Sequence, residues 1–166
     1  MAVPCTSDRP HLFLTGEKGV GKSTLLQKLL GSRKAAGFRT VKAAEVYPGR
    51  TSLHLLRLDR EEAPGEKNFL CFCPPAGDEA AAERFDHLGC QALAAGKDVE
   101  VLVMDELGPA EALAQQFRAA VLQALEGDIP ILGVLQKADT ELFRLVEKHP
   151  KVHLVEVTKE TRNILF

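Results

Sequence analysis

Hydrophobic and polar positions along this chain follow two alternating periods. Short apolar runs of strand length are separated by stretches with the three-to-four-residue period of amphipathic helices. Strands are predicted from His11 and over 38–46, 51–58, 68–73, 99–104, 129–135 and 152–157, and helices over 25–30, 78–88, 91–95, 110–125 and 140–148. Strands that alternate with helices imply right-handed crossovers and a mainly parallel sheet covered on both faces. The predicted fold class is therefore α/β with three layers.

Turn-forming residues refine this pattern. The polar stretch 59–67 separates two strand-like runs, which predicts an antiparallel β-hairpin attached to the main sheet. Gly37 is expected to end the connection before the strand 38–46, and Gly89 to close the helix that Asp78 caps. The hairpin is then an extension of the parallel core.

Composition sets the broad class. The 166 residues carry a formal net charge of −2 and are 45% hydrophobic, which suits one domain spanning 1–166. No basic block points to nucleic acid or an anionic membrane, and no apolar run suits a signal peptide or a bilayer span. We expect a cytoplasmic monomer. The cysteines at 5, 71, 73 and 90 are interpreted as reduced thiols, with metal ligands or disulfides as the alternatives.

The segment after the first predicted strand has chemistry of its own. Gly16, Gly21, Lys22 and Ser23 have the G-x-x-x-x-G-K-[ST] spacing of a phosphate-binding loop, between a strand and a helix. Inward-pointing backbone N–H groups and the helix dipole favour a triphosphate there. Lys22 is expected to reach the β- and γ-phosphates, and the Ser23 hydroxyl to bind Mg²⁺. The predicted nucleotide-binding residues of the loop are Gly16, Glu17, Lys18, Gly19, Val20, Gly21, Lys22, Ser23 and Thr24.

Two adjacent acids follow the predicted strand 99–104, as in a Walker B segment. Asp105 is expected to hold the Mg²⁺ shell, and Glu106 to polarise an attacking water. The alternative is that Glu106 only solvates the strand end, because neighbouring side chains of a strand point in opposite directions.

A guanine-specific switch protein is a further interpretation. Asp105-Glu-Leu-Gly108 fits D-x-x-G, and Gln136-Lys-Ala-Asp139 is one residue away from N-K-x-D. Only one predicted helix separates Gly108 from the strand ending at Leu135, so Gln136 should leave a strand next to Walker B and face the γ-phosphate. We therefore favour a sensor-like role for Gln136 and a solvated turn at Asp139.

Several segments together resemble a known family. They are Gly37-Phe-Arg-Thr40, Gly49-Arg50, Phe85 to Leu93, Asp105-Glu-Leu-Gly-Pro-Ala-Glu111, Phe117, Ile129-Pro-Ile-Leu-Gly133, Val155-Glu-Val-Thr158 and Thr161-Arg-Asn163. The chain thus resembles the thermostable, or cancer-related, nucleoside-triphosphatases, small P-loop proteins. Lys18 stands where that family commonly has Pro, and its side chain is interpreted as a solvated charge.

The resemblance implies a RecA-like sheet and slow, Mg²⁺-dependent hydrolysis of several nucleoside triphosphates to the diphosphate and phosphate. Arg39 and Arg50 lie in matching segments and are the candidates for an arginine finger. Arg162 follows the last strand and is either a nucleobase contact or part of an exposed terminal turn. A kinase whose acceptor site includes 74–88, and a nucleotide-dependent binding module, remain the alternative functions.

Overall fold

The computed structural model describes residues 9–74, 78–94, 98–108 and 113–161. Its strands are β1 (His11–Thr15), β2 (Ala35–Tyr47), β3 (Arg50–Arg57), β4 (Phe69–Phe72), β5 (Val101–Leu107), β6 (Ile131–Leu135) and β7 (Val152–Glu156). Its helices are α1 (Lys22–Leu30), α2 (Glu79–Ala94), α3 (Gln115–Glu126) and α4 (Glu141–Glu147), with a short 3-10 turn at Glu66–Asn68. The predicted alternation is confirmed.

The seven strands form one sheet in the order β4-β3-β2-β5-β6-β1-β7. β2, β5, β6, β1 and β7 run parallel, and β3 and β4 add two antiparallel strands at one edge. The carboxyl ends of β5, β6 and β1 therefore meet at one edge of the sheet, where α/β proteins bind their ligands. Both the mainly parallel sheet and its antiparallel extension are confirmed.

Each face of the sheet buries its own hydrophobic cluster. On one face, Leu25 and Leu26 of α1 pack with Leu14, Val103 and Val134 of the parallel strands. On the other face, the larger cluster joins the sheet to α2, α3 and α4 and includes Phe38, Phe85, Phe117, Leu142 and Val146. Adjacent residues of one strand serve opposite faces because successive side chains of a strand alternate. The parallel strands are consequently apolar on both sides.

Gly37 does not end a connection as expected, because it lies inside β2. Its φ of +108° is a conformation that side chains disfavour. A Cβ there would also collide with the Val103 carbonyl oxygen of the neighbouring strand. The glycine is needed because β2 and β5 approach closely at this position. From the sequence alone, a glycine required for such an approach cannot be distinguished from a glycine in a turn.

Gly89 does not close a helix either, since α2 continues through it to Ala94. A Cβ on Gly89 would occupy the position of the Phe117 ring of α3. The glycine therefore lets two helices pack closely, and the predicted pair of helices is one helix. Asp78 does cap it, because its Oδ1 accepts a hydrogen bond of 2.7 Å from the Ala81 amide.

The remaining differences concern boundaries. β5 extends to Leu107 and so includes Asp105 and Glu106, which were expected to follow the strand. α3 begins at Gln115 instead of residue 110. Residues 110–112 of the predicted helix lie outside the described part of the chain.

Cys71, Cys73 and Cys90 form no disulfide with one another. Within the described ranges, no helix has the length and apolarity that a membrane span requires.

Candidate active site

The phosphate-binding loop connects β1 to α1 at the carboxyl edge of the sheet. Gly21, with φ +97°, directly precedes α1, and this left-handed conformation turns the chain into the helix. Lys22 is buried, and its Nζ donates a hydrogen bond of 2.6 Å to the carbonyl oxygen of Gly16. The ammonium therefore lies across the loop, close to the groups that the sequence assigns to phosphate binding.

Ser23 and Asp105 meet, although they are far apart in the sequence. The Ser23 hydroxyl donates to Oδ1 of Asp105 at 3.0 Å, and the second carboxylate oxygen, Oδ2, is buried and finds no hydrogen-bond partner among the described residues. A buried carboxylate oxygen with no partner is costly unless a ligand satisfies it. Hydroxyl and carboxylate oxygens are the donors that Mg²⁺ prefers, so this pair fits a hydrated magnesium ion.

Burial outweighs the groups that stabilise the charge of Asp105. Burial raises the pKa of its carboxyl group above the ordinary value, whereas the Ser23 hydrogen bond and the charges of Arg39 and Lys22 lower it. A carboxylate in such a place is destabilised until a further positive charge arrives. This electrostatic situation agrees with a metal-binding role.

Glu106 is half-buried next to the same cations. Burial is the main reason that its pKa is raised, and the Asp105 charge adds to the effect, while Lys22, Lys18 and Lys42 oppose it. The two acids are thus both within electrostatic reach of Lys22, although neighbouring strand residues usually point apart. A carboxylate with a raised pKa is a better proton acceptor than an ordinary one.

A cavity of about 260 Å³ opens between α1 and β2. Its lining residues are Ser23, Thr24, Gln27, Arg39, Thr40, Val41 and Asp105. Arg39 pairs in register with Asp105 across β2 and β5, and its exposed side chain lines the cavity together with Ser23 and Asp105. The structure therefore brings Arg39 together with the phosphate-binding loop.

Arg50 lies elsewhere. It begins β3 opposite Tyr47, and its guanidinium carbon is 3.4 Å from the centroid of the Phe72 ring. At about 3.3 Å per residue, the part of β2 from Arg39 to Tyr47 is about 26 Å long, so Arg50, which pairs with Tyr47, lies far along the sheet from Arg39. Arg50 is not brought to the cluster formed by Lys22, Ser23 and Asp105.

The loop residues Glu17, Lys18 and Gly19 are exposed, and Val20 is buried against α1. Arg162 lies outside the described residues.

Sequence reasoning missed two residues of the site: Gln27, which lines the cavity, and Lys42, whose charge lowers the pKa of Glu106. Gln27 is four residues after Ser23 and so shares its helix face, a spacing that could have revealed it. Lys42 could not be found that way, because its position depends on how far β2 extends past β5.

The segment Gln136 to Asp139 leaves β6, which lies between β5 and β1. The amide of Gln136 donates a hydrogen bond of 2.8 Å to the Leu107 carbonyl oxygen, so this end of β6 adjoins the Walker B strand as predicted. Asp139 is almost fully exposed and pairs with Arg144 at 2.5 Å. Neither feature favours a buried guanine-reading pocket at Asp139.

Comparison with known proteins gives a consistent result. A family model described as NTPase matches residues 11–166. The nucleoside-triphosphatase THEP1 of Ignicoccus hospitalis is 31% identical, with 91% of this chain and 89% of that protein covered. The corresponding protein of Thermofilum pendens is also 31% identical, with coverage of 93% and 90%.

Two solved structures are similar. The crystal structure of THEP1 from the hyperthermophile Aquifex aeolicus superposes with a TM-score of 0.70 at 20% identity, covering 93% of this chain and 94% of that one. The solution structure of a human cancer-related nucleoside triphosphatase gives a TM-score of 0.62 at 26% identity, with coverage of 93% and 92%.

Proposed function

Because the chain belongs to the NTPase family and is a nucleoside-triphosphatase, we propose that it hydrolyses several nucleoside triphosphates slowly and with Mg²⁺. The products would be the nucleoside diphosphate and inorganic phosphate. The observation that carries the proposal is the contact between Ser23 and Asp105, whose second carboxylate oxygen is buried without a hydrogen-bond partner in the described part of the chain. This pair supplies a metal-binding position at the end of the phosphate-binding loop.

Each residue has a separate task in this proposal. Lys22 would leave the Gly16 carbonyl oxygen and neutralise the β- and γ-phosphates. Ser23 and Asp105 would hold the metal ion. When bound, Mg²⁺ would neutralise charge on the β- and γ-phosphate oxygens. Glu106 would accept the proton of the attacking water, for which its raised pKa suits it.

Arg39 is the proposed source of additional positive charge. It lines the cavity beside Ser23 and Asp105, so its guanidinium can approach the γ-phosphoryl group, whereas Arg50 is stacked on Phe72. The Arg39 side chain is exposed, and among the described residues no hydrogen bond fixes it. An incompletely fixed arginine supplies less transition-state stabilisation than a rigid one, which would account for slow turnover.

The alternatives receive less support. A kinase needs cationic groups near an acceptor site, but Arg84, the one arginine of segment 74–88, donates to the Leu70 carbonyl oxygen at 3.0 Å and lies over the Phe69 ring. The cavity beside Arg39 is also at the small end for an organic acceptor in addition to a phosphoryl group. Water is therefore the proposed acceptor.

The exposure of Asp139 and its pairing with Arg144 support the proposed broad base selectivity. We expect ATP, GTP, CTP and UTP to be hydrolysed within about one order of magnitude of one another. Phosphate release is measured for each with Mg²⁺ and with excess chelator, and an acceptor mixture is added in a parallel assay. A strong preference for GTP that Asp139→Ala abolishes would support the switch protein instead.

The same assay tests the site. Lys22→Ala removes the charge that compensates the phosphates, and Ser23→Ala removes a metal ligand, so both should reduce release to near background. Near-normal rates in either variant would exclude the proposed site.

We further propose that the enzyme acts as a cytoplasmic monomer. Sedimentation equilibrium tests the oligomeric state, and cell fractionation tests the location.

A further inference from the structure

The cavity of about 260 Å³ beside the phosphate-binding loop has a polar residue that the proposed reaction does not use. Gln27 lines this cavity together with Ser23 and Asp105. It follows Ser23 by four residues in α1, so the two side chains lie on the same face of the helix, one turn apart. Residues at this spacing have Cβ atoms about 5–6 Å apart, a separation that a water molecule can bridge. Gln27 and the Ser23–Asp105 pair therefore face one space.

The side-chain amide of Gln27 is available to a ligand in this space. Gln27 is exposed, and within the described ranges no hydrogen bond or ion pair engages its side chain. Its carbonyl oxygen can accept hydrogen bonds, and its NH₂ group can donate them. An uncharged amide compensates no phosphate charge, so it suits a hydrogen-bonding ligand such as water.

A metal ion at Ser23 and Asp105 would bring water into the cavity. Mg²⁺ prefers six oxygen ligands, loses its waters reluctantly and is usually held by one or two carboxylates. Asp105 is the only acid among the described residues that line the cavity, so several positions around the ion would be left to water and phosphate oxygens. The positive charge makes a metal-bound water more acidic and hence a stronger hydrogen-bond donor. Such a water needs an acceptor, and a cavity of about 260 Å³ has room for it.

We propose that Gln27 is a positioning residue for the metal ion, and that its Oε1 accepts a hydrogen bond from a water bound to Mg²⁺. The inference rests on the proposed function, because the metal ion belongs to that proposal. Gln27 contacts neither the ion nor the nucleotide and acts only through the water. It thereby helps to hold the ion between Ser23 and Asp105. Hydrogen-bond partners of this kind typically contribute about 10- to 100-fold to metal affinity.

The first experiment measures metal binding without turnover. The protein is kept in excess over a non-hydrolysable ATP analogue, and Mn²⁺, which takes the same oxygen ligands as Mg²⁺, is titrated while the EPR signal of the free ion is followed. Gln27→Met keeps the length of the side chain but removes the amide, so we expect its affinity for Mn²⁺ to be about tenfold weaker. Equal affinities in the parent protein and Gln27→Met would overturn the proposal.

Further variants separate the hydrogen bond from charge and from the substitution itself. Gln27→Glu should bind Mn²⁺ more tightly than the parent protein, because a carboxylate is a stronger acceptor. Lys28→Glu controls for the added negative charge, since Lys28 is the next residue of α1 and does not line the cavity. Gln123→Met, on the exposed surface of α3, controls for the substitution and should bind Mn²⁺ as the parent does.

These variants also decide against the proposal. An increase in Lys28→Glu as large as that in Gln27→Glu would mean that charge alone sets the affinity. A loss in Gln123→Met as large as that in Gln27→Met would mean that the site around Gln27 is not involved. If Gln27→Met does not fold, the comparison of Gln27→Glu with Lys28→Glu provides the result.

A second experiment tests whether Gln27 acts on the metal or on the nucleotide. In excess chelator, the parent protein and Gln27→Met should bind the analogue equally, because Gln27 does not contact the nucleotide. An equal loss of affinity with and without metal would show a direct contact and would overturn the proposal. In phosphate release, Gln27→Met should need about tenfold more Mg²⁺ for its half-maximal rate, and saturating Mg²⁺ should restore the parental maximum. Normal Mn²⁺ binding in a parent protein that releases no phosphate would refute the proposed hydrolysis alone.

Discussion

The two oxygens of Asp105 occupy different environments. Oδ1 accepts the Ser23 hydrogen bond, whereas Oδ2 is buried and has no partner within the residues that the structure describes, and burial raises the pKa of the carboxyl group. A group in this condition is unfavourable for the folded protein until a cation binds it. At the scale of single residues, Asp105 therefore provides a position for a cation but lowers the stability of the folded protein while no cation is bound.

Glu106 is the residue whose substitution best separates binding from chemistry. Glu106→Gln keeps the size and hydrogen-bonding capacity of the side chain but removes the proton acceptor. We expect kcat to fall by about 10² to 10⁴ while nucleotide affinity changes little. Steady-state phosphate release and equilibrium binding of a fluorescent nucleotide provide the two numbers. Hydrolysis at the parental rate would exclude Glu106 as the base.

Arg39 and Arg50 provide a matched pair of substitutions. Arg39→Ala removes a cation beside Asp105, so kcat should fall roughly tenfold or more with nucleotide Kd nearly intact. Arg50→Ala removes a cation stacked on Phe72 at the far end of β2 and should leave kcat unchanged. Phosphate release and nucleotide binding are measured for both. A larger loss in Arg50→Ala than in Arg39→Ala would reverse the assignment, and no loss in either would leave Lys22 and Mg²⁺ as the only charges that meet the phosphoryl group.

At the scale of elements, the antiparallel extension is fixed by a buried polar network. The Ser52 hydroxyl lies 2.7 Å from Nε2 of His54, whose Nδ1 lies 2.8 Å from Oδ1 of Asn68. Asn68 also donates to the Ala63 carbonyl oxygen at 2.9 Å, so the network ties the polar turn to β3. The order of groups is that of a hydrolytic triad, but Ser52 has no exposed surface and cannot reach a substrate. The network is structural.

Breaking this network should cost stability. His54→Phe keeps an aromatic ring but leaves Ser52 and Asn68 without their shared partner in a buried place. The Ser52 hydroxyl can still donate to the Ala43 carbonyl oxygen, and Oδ1 of Asn68 still accepts from the Gly65 amide. We therefore expect the free energy of unfolding to fall by about 1–3 kcal/mol, as for two lost hydrogen bonds. Urea denaturation measures it, with His87→Phe on the exposed surface of α2 as the control. A loss no greater than that of the control would show that the contacts contribute little.

At the scale of the whole molecule, helices on both faces of the sheet leave few polar groups inside. His11, at the start of β1, has no exposed surface. Its Nε2–H donates to the Leu125 carbonyl oxygen at 2.7 Å, and its Nδ1 accepts from the Ile131 amide at 3.1 Å. The ring is thus bonded as a neutral imidazole that links β1, α3 and β6. Burial is the main reason that its pKa is lowered from 6.5.

This lowered pKa makes stability depend on pH. Because the unfolded chain binds a proton at His11 more readily, the stabilising contribution is complete above about pH 6.5 and is lost as the pH falls below it. The free energy of unfolding should decrease towards pH 5 by up to about 1.4 kcal/mol per pH unit from this group. Denaturation at several pH values should show a flatter profile for His11→Gln but not for His153→Gln. Parallel profiles for His11→Gln and the parent protein would contradict the role of His11.

Local signals in the sequence determined the order of elements, the class of fold and the phosphate-binding loop. Each depends on residues that are close along the chain: hydrophobic periodicity fixes a strand or helix, and Gly21, Lys22 and Ser23 act within one turn. Asp105 and Glu106 were also predicted as Walker B acids, because they follow an apolar run. The family resemblance required only the sequence, and the comparisons confirmed it.

Only the tertiary structure decided what depends on strand register and packing between distant segments. It placed Arg39 beside Asp105 and Arg50 over the Phe72 ring. The two arginines lie apart because β2 extends well beyond its pairing with β5, and Arg50 follows that extension. It also gave Gly37 and Gly89 their roles, because the Val103 backbone and the Phe117 ring that exclude a Cβ are remote in sequence. Such features result from burial and close approach, which no local pattern of residues contains.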